Sequence, residues 1–423
     1  MHILSQLIKE DMRPALGVTE PGAIALAVAT ARCLIKGDVE KVFLKLNSGM
    51  YKNAFTCGIP GSNEVGNYHA AALGAVAADP KRGLECLEGI EETEAKKAKQ
   101  LVEQGKIVVD MSEISSRIFI EAKVIGEDSQ ATVTIRDTHT NIVKITENGK
   151  VIYVKKQPVV NQEEDGHLIH RYTLEQLYDY ANTVSLDEIQ FIKEAYDLNW
   201  ELLLEGINSN KTTFARYLLE ANGGEIISND EQKTASLFCN AAIEARVIGL
   251  SKPAMSITGS GAHGIIATMP LYASYRVNKY SEEALLRATA LSYLICMYIK
   301  EYSGKLSAFC GCAIAAGTGM ACGLVNLRGG DKENMAMTIN NMASSITGMI
   351  CDGGNQGCTM KGVVAVDAAY SSVNMAMNGV YIYNAHGING ATPEETMKNM
   401  GMIASPGMVA TEKTIVEILE DKK

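Results

Sequence analysis

Apolar and polar positions along the chain fall into two kinds of pattern. In the first, short runs rich in Val, Ile and Thr recur, and Lys41–Leu46 alternates apolar with polar. This run, together with Arg117–Ile125, Thr132–Asp137, Ile142–Thr146 and Val151–Lys155, reads as strands. Asn148-Gly149 supplies the residues of a two-residue hairpin between the last two. Helical runs accompany them. Ala23–Ile35 is Ala-rich and has Pro21 placed as a first-turn proline, Tyr68–Ala78 is built of small residues, and Glu91–Glu103 is charged. Lys156–Arg171 is polar and irregular, as a connection would be.

From Leu174 onward the pattern is helical, with candidates at Leu174–Ala181, Leu186–Glu205, Thr212–Glu220, Asp230–Ile248, Glu282–Tyr302, Asp331–Met349, Val364–Met377 and Pro393–Met400. The expectation is an α+β protein. Residues 1–172 form a mixed α/β part with a β-rich insert, and residues 173–423 form a mainly helical part. Many positions in the second part are Ala, Gly, Ser or Met, which lets helices pack closely around a buried site.

The 423 residues, 47% of them hydrophobic, suffice for one large or two ordinary domains. With 39 Lys+Arg against 49 Asp+Glu the net charge is −10. That balance makes nucleic acid and anionic membrane surfaces poor partners. No apolar run reaches the roughly 18 residues of a spanning helix. The first ten residues lack a basic segment followed by an apolar one, so no signal peptide is expected and the cytoplasm is the expected location. The apolar, small-residue helical surface makes a homodimer plausible.

Ten cysteines in such a chain are not a disulfide framework. Cys33, Cys57, Cys86, Cys239 and Cys296 are scattered among apolar neighbours and read as small core residues. The other five crowd together: Cys310-Gly311-Cys312, Cys322, and Cys351-Asp352-Gly353-Gly354-Asn355-Gln356-Gly357-Cys358. A Gly-rich loop between two cysteines lets backbone wrap a compact inorganic group. Thiolates are soft ligands that select iron–sulfur clusters, zinc or copper(I). Paired CxxC motifs of a zinc ribbon are missing, as is the tight ladder of ferredoxins. Separated cysteines without an obvious fourth suggest a cluster with one open iron. The competing reading is a set of reduced core cysteines. Cys322, in a helix-like run, is read as core.

Several motifs together resemble the L-cysteine desulfidases. Gly17-Val18-Thr19-Glu20-Pro21 is similar to that family's GCTEP motif, and Tyr51-Lys52-Asn53-Ala54, Ile59-Pro60-Gly61 and Ala70–Ala75 follow in its order. Thr258-Gly259-Ser260-Gly261-Ala262-His263-Gly264-Ile265 resembles GSGNHGI, and Cys351–Lys361 resembles its cysteine block. The C-terminal half is also similar to the α part of iron–sulfur L-serine dehydratases. The resemblance implies a 4Fe-4S cluster held by Cys312, Cys351 and Cys358, with Cys310 as the alternative to Cys312. It further implies β-elimination from a small amino acid, L-cysteine or L-serine. Two positions depart from the pattern: Val18 stands where the family has cysteine, and Ala262 where it has asparagine.

His263, flanked by glycines and with a side chain suited to proton transfer near neutral pH, is the candidate base. Lys52 is grouped with it as a catalytic candidate; Lys52 and Asn53 would bind the substrate carboxylate or pair with Glu20. Thr19, Glu20, Asn53, Ser260 and Gly261 are the candidate substrate-binding residues, helix capping being the competing role for Thr19 and Glu20. Lys361 would offset cluster charge, and Asp352 would organise the Gly-rich turn. His69, His139, His167 and His170 read as structural or solvent-facing, and His386 as an outside candidate.

Overall fold

The computed structural model describes residues 1–155 and 168–422. The chain opens on helix α1 (Ile3–Asp11), whose first turn is capped by the His2 side chain, and enters the short strand β1 (Arg13–Leu16). Helix α2 (Thr19–Arg32) leads to strand β2 (Val39–Leu46), then to helices α3 (Ser48–Asn53), α4 (Gly66–Val76) and α5 (Glu92–Glu103). Strands β3 (Ile107–Met111), β4 (Phe119–Gly126), β5 (Gln130–Arg136), β6 (Ile142–Glu147) and β7 (Lys150–Val154) follow. The expected runs therefore become strands. Asn148 and Gly149 both take positive φ (49° and 80°), the conformation of a two-residue hairpin.

These strands form a mixed sheet in the order β3-β2-β4-β5-β6-β7, with only β2 and β3 parallel. In β4 the alternate residues Ile120, Ala122 and Val124 are fully or almost fully buried, as period-two burial requires. Helix α2 lies over β4 and β5.

The helical part runs α6 (Leu174–Thr183), α7 (Leu186–Ile189), α8 (Lys193–Asn208), α9 (Phe214–Ala221) and α10 (Glu231–Val247). Strand β8 (Pro253–Ser256) then precedes α11 (Gly261–Asn278), α12 (Glu282–Ser303), α13 (Gly317–Leu327), α14 (Lys332–Ile346), α15 (Gly357–Ala376), α16 (Pro393–Met402) and α17 (Val409–Glu420). The protein is α+β. Strand β8 pairs antiparallel with β1, Arg13 facing Ser256, so the N-terminal segment is sewn into the helical part. One continuous apolar core runs through both parts.

Elements α1, β1, α3, β3 and β8 lie outside the runs that the sequence pattern offers, and three further elements differ from it. The expected helix Leu186–Glu205 is interrupted by a tight turn over Gln190–Ile192. Ile189 and Ile192 are both fully buried, and three-residue spacing faces them to one side. Helix α15 starts at Gly357, seven residues before the expected start, because the Asn355 side chain accepts the Gly357 N–H at 2.7 Å. Helix α11, for which the sequence pattern offers no run, begins in the glycine-flanked segment of His263 and continues through Pro270. The expected polar connection falls largely on 156–167, outside the described residues, and so does His167. No helix among the described residues is long and apolar enough to cross a membrane.

Candidate functional site

Three glycines explain how Thr258–Ile265 folds. Gly259 (φ +78°) turns the chain after β8. Gly261 opens α11 directly above the Arg246 side chain; a Cβ there would sit 2.7 Å from Arg246 Nε. Gly264 presses on β8, since a Cβ would come 1.9 Å from the Met255 carbonyl oxygen. The result aims the first turn of α11, with no side-chain cap, into a cavity of about 240 Å³.

That cavity gathers residues from across the chain. Glu20, Asn53, Ser260, His263, Cys312 and Cys351 line it, together with Asp11, Arg13, His139, Thr258, Lys300 and Lys305. Most of the sequence candidates thus meet in one place.

His263 is 5% exposed. Burial, then the charges of Lys300 and Arg246, hold its pKa well below the ordinary 6.5, so the imidazole is neutral near pH 7. Its Nε2 faces the Cys310-Gly311-Cys312 turn, 2.8 Å from where a Gly311 Cβ would stand. Arg246 lies behind the opening of α11, 3% exposed and with its Nε unpartnered.

Glu20 is the anionic side of the cavity. Its carboxylate accepts from Thr19 Oγ1 (3.1 Å) and Asn53 Nδ2 (3.0 Å), and His139 Nε2 stands 3.5 Å away. Burial alone would raise its pKa. The facing His139, the Asn53 amide and the Arg246 charge outweigh burial and bring it to about 2. Thr19 and Glu20 do not cap α2: the N-cap is Val18, and it makes no side-chain cap bond.

His139 gains a setting that the sequence does not show. Of the two readings, structural or solvent-facing, the second is excluded: His139 is buried and lines the cavity. It sits on the β5–β6 connection, which reaches from the sheet to Gly259. No local signal marks it, because its setting Asp137-Thr138-His139-Thr140 reads as a polar turn. Asp11, Lys300 and Lys305 were missed for a similar reason, being ordinary charged residues of helix ends.

Lys52 is also corrected. It does not pair with Glu20; its ammonium donates to the carbonyls of Ser307 (3.0 Å) and Cys351 (2.9 Å) and to Glu412 Oε2 (2.6 Å). With its side chain fully buried and absent from the cavity wall, it buttresses the cysteine loop from behind. Asn53 makes the contact with Glu20 instead.

The cysteines converge. Segments 308–312 and 349–351 run side by side, with Cys310 N–H bonded to Met349 O (3.0 Å) and Cys351 N–H to Ala308 O (2.6 Å). Cys312 begins a π-helical turn that runs into α13, and Cys358 lies in the first turn of α15. Helix starts favour thiolates, but here burial and the neighbouring Cys351 outweigh that and raise the Cys358 pKa to about 11. Cys312, Cys351 and Cys358 are partly exposed, whereas Cys310 is buried. The hydrogen bond with Cys312 lowers the Cys310 pKa to about 7, and the same bond raises that of Cys312. Cys312 and not Cys310 lines the cavity. Cys322 is fully buried, and burial raises its pKa to about 12.

Glycines fit the loop to its surroundings. A Cβ on Gly353 would meet Lys52 O at 2.5 Å, and one on Gly354 would meet Val18 Cγ1 at 2.9 Å. Position 18 therefore lies against the cysteine loop. Lys361 pairs with Asp352, and Asn355 also reaches Asp352, so Asp352 ties the turn together. Burial disfavours the Lys361 ammonium, but Asp352, Cys358 and Cys351 hold its pKa above the ordinary value.

Among the described residues no three His, Cys, Asp or Glu side chains close around a single metal ion. Cys312, Cys351 and Cys358, partly exposed and drawn from different segments, are soft donors of the kind a multinuclear group takes at one per metal atom, with buried Cys310 beside Cys312. Lys300, whose ammonium donates to the Gly304 and Lys305 carbonyls, fits the negative charge of such a group, while Lys52 and Lys361 are already paired with Glu412 and Asp352. His386 is exposed and belongs to a separate surface cavity with Ile382 and Ile403.

Comparison with known proteins gives the family of the chain. The sequence model of a family described as serine dehydratase alpha chain matches residues 81–417. The chain is 41% identical to a UPF0597 protein of Clostridium botulinum (strain Okra / Type B1), over 99% of this chain and 98% of that one. A UPF0597 protein of Caldanaerobacter subterraneus subsp. tengcongensis is 35% identical over 100% and 99% of the two chains. One from Methanocella arvoryzae is 32% identical over 99% and 98%. The chain belongs to the serine dehydratase alpha chain family, on a branch whose relatives carry the name UPF0597.

Proposed function

We propose that the chain is an iron–sulfur lyase that removes the β-substituent of a small amino acid. The substrate would be L-cysteine, giving pyruvate, ammonia and sulfide, or L-serine, giving pyruvate and ammonia. One observation carries the reading: a cavity sized for a small molecule is lined by Cys312, Cys351 and the buried, neutral His263. Membership of the serine dehydratase alpha chain family supports a lyase role.

Cys312, Cys351 and Cys358 would hold a 4Fe-4S cluster with one iron open, Cys310 being the alternative to Cys312. When bound, such a cluster supplies an electron-pair acceptor for the departing hydroxyl or thiol. The rest falls to this chain. Ionised Glu20, fixed by Thr19 and Asn53, receives the α-ammonium. Free N–H groups of the first α11 turn, with the Ser260 hydroxyl, receive the carboxylate, and the Arg246 charge behind Gly261 strengthens that end. Neutral His263 accepts the α-proton. The enamine that results leaves and hydrolyses to the keto acid and ammonia.

Pyruvate release from L-cysteine and L-serine by anaerobically assembled protein tests the reading, with His263→Gln alongside. Turnover of either substrate, reduced on the order of 100-fold by the substitution, supports it. A second reading rests on Val18, which lies against the cysteine loop where the desulfidases have cysteine. There the fold and cluster are kept and the reaction has changed. A Val18→Cys variant that gains desulfidase activity favours this second reading.

A further inference from the structure

Thr258 departs from ordinary backbone behaviour. It is β-branched, 4% exposed, and held at φ +51°, in the left-handed region that such side chains avoid. Residues in that state persist where their surroundings over-determine them, and they gather at functional sites. Two contacts hold this one. Its backbone N–H donates to Asp11 Oδ2 at the end of α1 (2.5 Å), and its hydroxyl donates to the Ile257 carbonyl (2.8 Å). The same hydroxyl oxygen lies 2.5 Å from His263 Nδ1.

A hydroxyl has one proton to give. Placed on Ile257 O, as the 2.8 Å contact allows, that proton leaves Thr258 Oγ1 to meet His263 as an acceptor, and Nδ1 then carries the imidazole hydrogen. The neutral ring then has its lone pair on Nε2, the atom that faces Gly311 in the cysteine turn. Which nitrogen is free is set by the bond that the other nitrogen makes.

We propose that Thr258 is the positioning residue that fixes His263 as the Nδ1–H tautomer and so presents Nε2 as the base. Asp11 holds Thr258 in the strained turn that makes the contact. The proposal rests on His263 as the base of the proposed reaction. It adds the residue that decides which nitrogen acts. Ser at 258 keeps the hydroxyl. Val keeps the shape without it. Gly accepts the positive φ freely and lacks the hydroxyl, so it keeps the test open if the Val variant folds poorly.

Two readouts separate the possibilities. Nitrogen-15 spectra of histidine-labelled protein, with the His263 signal assigned through His263→Gln, report the tautomer without any turnover. Steady-state kinetics report its consequence. The expected result is Nδ1–H in the wild type and in Thr258→Ser, and loss of that preference in Thr258→Val and Thr258→Gly. With it, kcat should fall at least about tenfold while KM stays within about twofold, and Ser should restore kcat. An Nε2–H signal in the wild type, or an unchanged tautomer and kcat in both hydroxyl-free variants, overturns the proposal. If His263→Gln leaves turnover intact, the base assignment fails, while the tautomer spectra still decide what Thr258 does.

Discussion

The Lys52 ammonium and the Glu412 carboxylate meet 2.6 Å apart, with side chains 0% and 5% exposed, and the ammonium also holds the Cys351 carbonyl. A C-terminal helix, α17, is thereby fastened to the cysteine loop through a lysine of α3. Removing one partner of a buried pair leaves an unpaired charge, at about 3–5 kcal/mol. Lys52→Met and Glu412→Leu should each lower the unfolding midpoint strongly, and the double variant less than either alone. Chemical unfolding of the three proteins checks this; a double variant as unstable as the sum of the two singles contradicts the pairing.

Gly264→Ala should destabilise the protein by about 3 kcal/mol or more. In an ordinary helix interior the same change gains about 1 kcal/mol. Here the new methyl would meet the Met255 carbonyl oxygen at 1.9 Å, so α11 must lift off β8. A thermal midpoint equal to or above that of the wild type would contradict the packing.

Glu20 gives a pH signature. Its folded pKa of about 2 lies below the ordinary 4.5, so the unfolded chain takes up the proton first. The stabilisation is fully present above pH about 4.5 and is lost as pH falls toward about 2. A difference that size corresponds to on the order of 3 kcal/mol. The stability gap between wild type and Glu20→Gln should narrow across that interval. Midpoints measured at several pH values would show it, and a constant gap would place Glu20 outside the buried network.

The cysteines divide by position. Cys312→Ser, Cys351→Ser and Cys358→Ser should each lose most bound iron. Cys310→Ser and Cys322→Ala should keep it, because Cys310 is buried behind Cys312 and Cys322 lies within the core of α13. Iron content per chain decides this, and retention of iron in Cys312→Ser would move the assignment to Cys310.

Much of this site was legible because the carriers are chemically distinctive: clustered cysteines, a glycine-flanked histidine, a threonine–glutamate pair before proline. The strands were legible because alternation is a local property. What escaped depends on distance along the chain. His139 becomes a cavity residue only when the β5–β6 connection folds onto Gly259, and Lys52 finds Glu412 across 360 positions. Helix α11 was hidden because its glycines serve close packing on Met255 and Arg246, although glycine and Pro270 locally read as turn and break. Strand β8 was hidden because four residues paired with distant β1 carry no period of their own.

The most direct test is to purify the protein anaerobically, measure iron and sulfide, and record the visible spectrum before and after adding L-cysteine or L-serine. A brown protein with about four irons per chain, whose spectrum shifts with one of the two amino acids, is the predicted result. A colourless protein that takes up no iron on reconstitution would contradict the cluster and leave Cys310, Cys312, Cys351 and Cys358 as core thiols beside an unexplained cavity.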